Sequence, residues 1–374
     1  MGKCEIMIQS SETKPDITVL IPAHNKERQI AQAVQSVLNQ SWKNLAVTVT
    51  DDASTDRTAD IVRKMAESDR RIRLVVHAEN QGTLRSRLDA FKASSGRYLL
   101  CLDADDTLDR ECAETLLHLA ERENADLTGF GARLLREGRT IAAADAVKHT
   151  LTGRNIFETA FCHHLYSWSV CLKLIRRDLF ERAAAELEPI YCVSAEDFYF
   201  YTILSYHAER LILSGRIFYN YQIAAGLTGE SGRESFRRYA SMLDALQAVR
   251  RFLVRKGIAE QYASAFAERE REHFHLLLNR FPGDADALAF LTGKYDPAAV
   301  RKYLAEFYTP EYAETAFAAL ERKTDFPAKP AGRSIRTDEN TPVRKLSNLL
   351  LPPESRRWFM VKRSLDWVRW RKYL

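Results

Sequence analysis

Apolar and polar positions switch between two periods along the first hundred residues. Residues 17–21 form a short apolar run closed by Pro22, which reads as a strand. Ile30, Val34, Val37 and Leu38 then recur at helical spacing. Residues 45–50, rich in Val and Thr, predict a second strand, and 56–65 a helix capped by Ser54 or Thr55. A third strand over 72–77 and a helix over 84–93 follow. The apolar run 98–102, opened by Gly96, predicts a buried fourth strand. Alternation of this kind predicts a parallel sheet covered by helices.

The pattern then loosens. Residues 111–123 predict a helix, 126–133 a strand, and 168–175 an apolar run ahead of another helix. Residues 196–206 look helical, with strands at 210–213 and 216–222. Phe236, Tyr239, Leu243, Leu246, Val249 and Leu253 share one helical face, and helices continue to Lys323. Pro327, Pro330, Gly332 and Pro342 mark a linker. The expected organisation is an extension over 1–15, an α/β domain over 16–228, a helical domain over 229–323, a linker over 324–342 and a tail over 343–374.

Charge changes the picture only at that tail. The net charge of the 374 residues is +5, but residues 333–374 hold eleven Lys/Arg against four Asp/Glu, so the remainder is slightly acidic. Trp358, Val361, Leu365 and Val368 share a face flanked by Arg356, Arg357, Lys362, Arg363, Arg369, Arg371 and Lys372. A basic amphipathic helix with Trp suits the surface of an anionic membrane, or docking on the helical domain or a second copy. No nucleic-acid-binding module accompanies the charge. The six cysteines show no CxxC spacing and read as small core residues of a reducing cytosol. The first sixteen residues hold no apolar signal core, and no apolar stretch approaches eighteen residues. The expected place is the cytoplasm, with peripheral contact at the inner face of the membrane.

The candidate chemistry sits where the apolar runs end. Asp103, Asp105 and Asp106 follow the fourth predicted strand, at the edge where open α/β sheets bind ligands. Packed carboxylates need a counter-cation, and hard oxygen donors suit Mg²⁺ or Mn²⁺ bridging to phosphate. Asp51 and Asp52 end the second strand in the same way.

Four segments in order carry a family likeness: Ile21-Pro22-Ala23-His24-Asn25, Asp51-Asp52-Ala53-Ser54-Thr55-Asp56, Asn80-Gln81-Gly82 and Leu102-Asp103-Ala104-Asp105-Asp106. Together they resemble glycosyltransferase family 2 over residues 16–225. The resemblance implies a GT-A (Rossmann-like) fold: a mostly parallel sheet flanked by helices, with an α-helical C-terminal region. It implies an inverting enzyme with a nucleotide-sugar donor, a divalent metal and a bacterial surface glycan or lipid-linked glycan as acceptor. Carried over by position, Asp51 would meet the nucleobase, flanked by Pro22 and His24, and Asp52 would support that loop beside Asn25. Asn80 and Arg87 would lie near the donor. Asp103 and Ala104 would face the ribose or sugar, and Asp105, with Asp103, would ligate Mn²⁺ or Mg²⁺. Glu196-Asp197 matches the family's Glu-Asp pair, whose Asp is the usual catalytic base. His24 stands where the family often has Tyr, and Leu88 where it often has Asn. Gln222 and Ala224 replace the basic residue common after the later Tyr-rich strand.

A UDP-sugar is the expected donor, since Asp51 can accept from an imide N–H. Asp197 would take the acceptor proton, an effect of roughly 10²–10⁴-fold, with Glu196 orienting it. Two other classes fit parts of the pattern. A non-catalytic nucleotide-sugar-binding module with a partner-recruiting tail would turn over nothing. A nucleotidyltransferase would share the acidic site but release pyrophosphate, and its Gly-rich, basic phosphate loop is not seen after the first strand.

Overall fold

The computed structural model describes residues 5–7, 14–144, 148–162, 167–222 and 233–332. The tail, most of the linker and Ala224 lie outside the described residues. The described chain divides into two compact units, one holding residues up to 192 and 196–222, the other 193–195 and 233–332.

The first unit is built on one sheet. Its strands are β1 (Glu5–Met7), β2 (Ile17–Ala23), β3 (Leu45–Asp51), β4 (Ile72–Val76), β5 (Tyr98–Cys101), β6 (Thr107–Leu108), β7 (Leu127–Arg136), β8 (Arg139–Ala144), β9 (His149–Thr152), β10 (Lys173–Arg176) and β11 (Arg210–Gln222). The order is β1-β4-β3-β2-β5-β10-β7-β11-β6, with β8 on β7 and β9 on β11. The four strands of the predicted alternation, β4-β3-β2-β5, are parallel to one another. Beyond β5 the sheet is mixed: β10 runs antiparallel to β5 and β7, while β11 is parallel to β7. The helices are α1 (Ile30–Leu38), α2 (Thr58–Ser68), α3 (Thr83–Lys92), α4 (Cys112–Glu123), α5 (Arg154–Phe161), α6 (Arg177–Ala184) and α7 (Glu196–His207).

The parallel strands are rich in Val, Ile and Leu because both faces are covered. Ile17, Val19, Val47, Val49, Leu99 and Leu100 are fully or almost fully buried. Gly96 lets the chain enter β5 against β2: a Cβ there would lie 2.5 Å from the Thr18 backbone nitrogen. Several expected boundaries move. Pro22 does not close β2, because its ring sits beside Thr50 in a register that continues to Ala23 and Asp51. The second helix begins at Thr58 rather than Asp56, since the Asp56 carboxylate accepts the Thr58 N–H at 2.9 Å from outside the helix. The two strands expected at 210–213 and 216–222 are one, β11. Gly215, at φ +71°, and a register shift between Leu213 and Ile217 break its alternation without ending it.

The second unit contains α8 (Arg233–Tyr239), α9 (Ser241–Arg255), α10 (Ala263–Leu278), α11 (Ala285–Lys294), α12 (Pro297–Phe307) and α13 (Pro310–Arg322). The predicted face of α9 is buried through Leu243, Leu246, Val249 and Leu253. Asp284, Asp296 and Thr309 cap α11, α12 and α13 with their side-chain oxygens, and prolines open the last two. Among the described residues, no helix is long and apolar enough to cross a membrane.

Candidate active site

Parallel pairing brings the carboxyl ends of β2, β3, β4 and β5 to one edge, so the loops that follow them meet. Asp51, the last residue of β3, lies opposite Ala23 on β2 and Val76 on β4. Its side chain is buried; Oδ2 accepts the Ser54 N–H at 3.1 Å, while Oδ1 is buried with no hydrogen-bond partner among the described residues. A buried carboxylate oxygen left open is costly. It leaves room for an N–H that the described residues do not provide.

Asp52 does a different job. Its Oδ1 accepts from the Gln81 N–H at 2.8 Å and pairs with His77 Nδ1 at 2.7 Å; its Oδ2 accepts from the Gly82 N–H at 2.8 Å. Both oxygens are thus engaged by the protein, and Asp52 ties the loops together. Its carbonyl receives His24 Nδ1 at 2.8 Å and the Asn80 amide at 3.4 Å. Asn80 also accepts the Tyr191 hydroxyl at 3.3 Å. Asn25, at φ +52°, donates its N–H to Ser54 and accepts the Thr55 N–H. Pro22, His24, Asn25, Asp51 and Asn80 therefore surround one corner of the site.

His77 has a fully buried ring between Asp52 and Asp89, with Nε2 3.3 Å from Asp89. Burial opposes its charge, but hydrogen bonds and charge from the two carboxylates outweigh that and raise it to about 9. The ring is a buried cation bracing the β3 loop against α3.

The second corner is organised by Arg87. Leu84, Arg87 and Ala90 lie on the inner face of α3, and the Arg87 side chain is only 2 % exposed. Its guanidinium donates to Asp103 Oδ1 at 3.0 Å and Asp197 Oδ1 at 2.9 Å, with Glu196 at 3.5 Å. Burial works against the charge, yet Asp197, Asp103 and Glu196 hold the guanidinium firmly protonated. Glu196 and Asp197 open α7, where the helix dipole favours anions. Arg87, expected near the donor, lies beneath Asp103, Asp197 and Glu196 as their common counter-ion. Asp103 is 31 % and Asp197 17 % exposed, so both reach the surface of the site, while Glu196 is buried.

The acidic run after β5 splits by function. Ala104 is buried. Asp106 turns inward and accepts the Tyr219 hydroxyl at 2.9 Å and the Gln222 N–H at 2.8 Å, tying the loop to β11. Asp103 donates its N–H to the same Tyr219 oxygen at 3.2 Å. Asp105 points the other way, and Lys26 Nζ donates to its Oδ2 at 2.9 Å. Of the two acids expected to share a metal, Asp103 is held by Arg87 and Asp105 by Lys26. Among the described residues no group of three or more His, Cys, Asp and Glu side chains is placed to hold a metal ion. The donor set still suits a cation of the Mg²⁺ class, which uses one or two carboxylates and completes its shell with water and substrate phosphate. Asp105, paired with Lys26, and Asp103, paired with Arg87, are the carboxylates of that donor set.

Lys26, His77, Tyr219 and Cys171, whose Sγ lies 3.6 Å from Asp103 Oδ1, were not singled out from the sequence. Lys26 directly follows a segment that was.

Residues 18–165 match the family model for glycosyl transferase family 2. The chain carries a glycosyl transferase family 2 domain. Glycosyltransferase GlyA of Streptococcus pneumoniae is 26 % identical over 222 residues, covering 56 % of this chain and 31 % of GlyA. The teichuronic acid biosynthesis glycosyltransferase TuaG of Bacillus subtilis is 32 % identical over 151 residues, covering 37 % of this chain and 60 % of TuaG. The chain thus spans between about a third and three fifths of the length of these relatives. The crystal structure of S. aureus TarS 1–349 is similar with a TM-score of 0.51 at 18 % identity, covering 83 % of this chain and 93 % of that one. At that identity TarS attests the family 2 domain's GT-A fold and no more.

Proposed function

We propose that the chain is an inverting, metal-dependent glycosyltransferase that moves a sugar from a nucleoside-diphosphate donor to a hydroxyl of a polysaccharide, lipooligosaccharide or capsule precursor. The observation that carries this is Arg87: one buried guanidinium holds Asp103, from the loop after β5, and Asp197, from the start of α7, at a common point. A donor-binding acid and a general base must lie this close for a displacement at a sugar carbon. The open oxygen of Asp51 adds a seat for a base N–H and favours a uridine donor.

The nucleobase would lie against Asp51, with His24 and Pro22 beside it, and the ribose or sugar against Asp103. Asp197 would take the proton of the acceptor hydroxyl. The new bond from that oxygen to C1 forms as the bond from C1 to the diphosphate oxygen breaks, and the electron pair leaves with the nucleoside diphosphate. Arg87 fixes the Asp197 carboxylate, so no reorganisation is needed as the proton arrives. A divalent ion held by Asp105 would supply Lewis-acid stabilisation of the leaving diphosphate. The likeness to TuaG, which by name acts in teichuronic acid biosynthesis, supports a polysaccharide acceptor.

The test is UDP release from a panel of UDP-sugars with Mn²⁺, for wild type and Asp197→Asn. Turnover should fall at least about 100-fold in the variant, with UDP binding retained. No Mn²⁺-dependent turnover in wild type, or an unimpaired variant, would overturn the proposal.

A further inference from the structure

Lys26 carries a charge that none of the site's expected roles uses. Its Nζ reaches Asp105 across 79 residues of sequence, at 2.9 Å. Topology makes this possible: β2 and β5 are parallel neighbours, with Leu20 opposite Cys101, so the loops after them leave from one edge. The backbone around Lys26 is clamped to the 54–58 loop. Asn25 N–H donates to Ser54 Oγ at 2.9 Å, Lys26 N–H to Thr58 Oγ1 at 2.7 Å and Glu27 N–H to Asp56 Oδ2 at 3.0 Å. Asn25 also accepts the Thr55 N–H while holding a left-handed conformation. The main chain is therefore fixed, and the part left to move is the Lys26 side chain, 32 % exposed.

Asp105 is also the carboxylate assigned above to the divalent ion. An ammonium and a divalent cation at contact distance from the same carboxylate repel each other. We infer that Lys26 is a resident counter-ion for Asp105 which the metal must displace, and which passes to the donor's diphosphate when donor and metal bind together. The inference rests on the donor and metal proposed above. It makes their binding cooperative, because the donor draws away the competitor of the metal, and coupling between two ligands is reciprocal. Without a diphosphate, Lys26 keeps Asp105 neutralised and the metal weakly held.

The experiment is Mn²⁺ titration by electron paramagnetic resonance of the full chain, with and without saturating UDP. Wild type is compared with Lys26→Met, Lys26→Gln and Lys26→Arg, and Asp105→Asn serves as the blank for Mn²⁺–UDP in solution. Without UDP, the Met and Gln variants should bind Mn²⁺ at least about tenfold more tightly than wild type, since one opposing charge is gone; Arg should track wild type. UDP should tighten Mn²⁺ on wild type by about tenfold or more, and by much less on the neutral variants. Equal Mn²⁺ affinity in wild type and the folded neutral variants would overturn the role of Lys26 alone. No Mn²⁺ binding by any of them at any UDP concentration would overturn the metal assignment and this inference with it. The two failures are thereby told apart.

Discussion

Replacing Arg87 by Met would remove a cation that Asp103, Asp197 and Glu196 share. Breaking a buried ion pair from one side costs about 3–5 kcal/mol, because the remaining charge is stranded. The exposures decide where in that range the cost falls. Asp103 and Asp197 are 31 % and 17 % exposed, so water can take over part of what Arg87 provides. Glu196 is 1 % exposed and has no such recourse. The low end, about 3 kcal/mol, follows. At roughly 2–4 °C per kcal/mol for a unit of this size, that is a fall of about 6–12 °C in the melting temperature. Thermal unfolding followed by circular dichroism, at fixed pH and salt, measures it. Adding Glu196→Gln to Arg87→Met should return about 1 kcal/mol or more, since the stranded buried charge is then gone and the two sites are coupled. Arg87→Lys should recover only part, because a point charge cannot bridge separate carboxylates as a planar fork does. A melting temperature for Arg87→Met within about 2 °C of wild type would refute the reasoning, as it would show that the acids do not need the guanidinium.

The His77 braces give a pH prediction. Its folded value, about 9, lies above the ordinary 6.5, so the stabilisation is fully present below pH 6.5 and is lost as pH rises through 9; the full effect is of order 3 kcal/mol. Urea midpoints at pH 6 and pH 9 should therefore differ in wild type, and His77→Gln should flatten that difference. Gly82→Ala should destabilise the first unit by about 1–3 kcal/mol: Gly82 sits at φ +87°, ψ 163°, and a Cβ would lie 3.0 Å from the Cys192 carbonyl oxygen. An unchanged urea midpoint for Gly82→Ala would show that the turn before α3 can relax.

What the sequence disclosed depends on how far apart the partners lie. The strands β2 to β5 could be read because each is a short run rich in apolar and β-branched residues, and such runs need no knowledge of neighbours. Asp51 and Asp103 could be read because each ends such a run. The division of labour among adjacent acids could not. Asp51 and Asp52 are neighbours, yet one keeps an open oxygen and the other spends both on Gln81, Gly82 and His77, a difference fixed by residues about thirty positions away. Asp105 and Asp106 separate likewise, one toward Lys26 and one toward Tyr219. Arg87 lay between these cases. Among the charged residues of α3, only Arg87 shares a face with Leu84 and Ala90, so helical spacing alone places it inward. A buried arginine demands carboxylates, and the fold supplies them from the loop after β5 and the start of α7. Spacing on one helix thus contained the statement that two distant motifs meet, and burying Arg87 is the physical reason that they do.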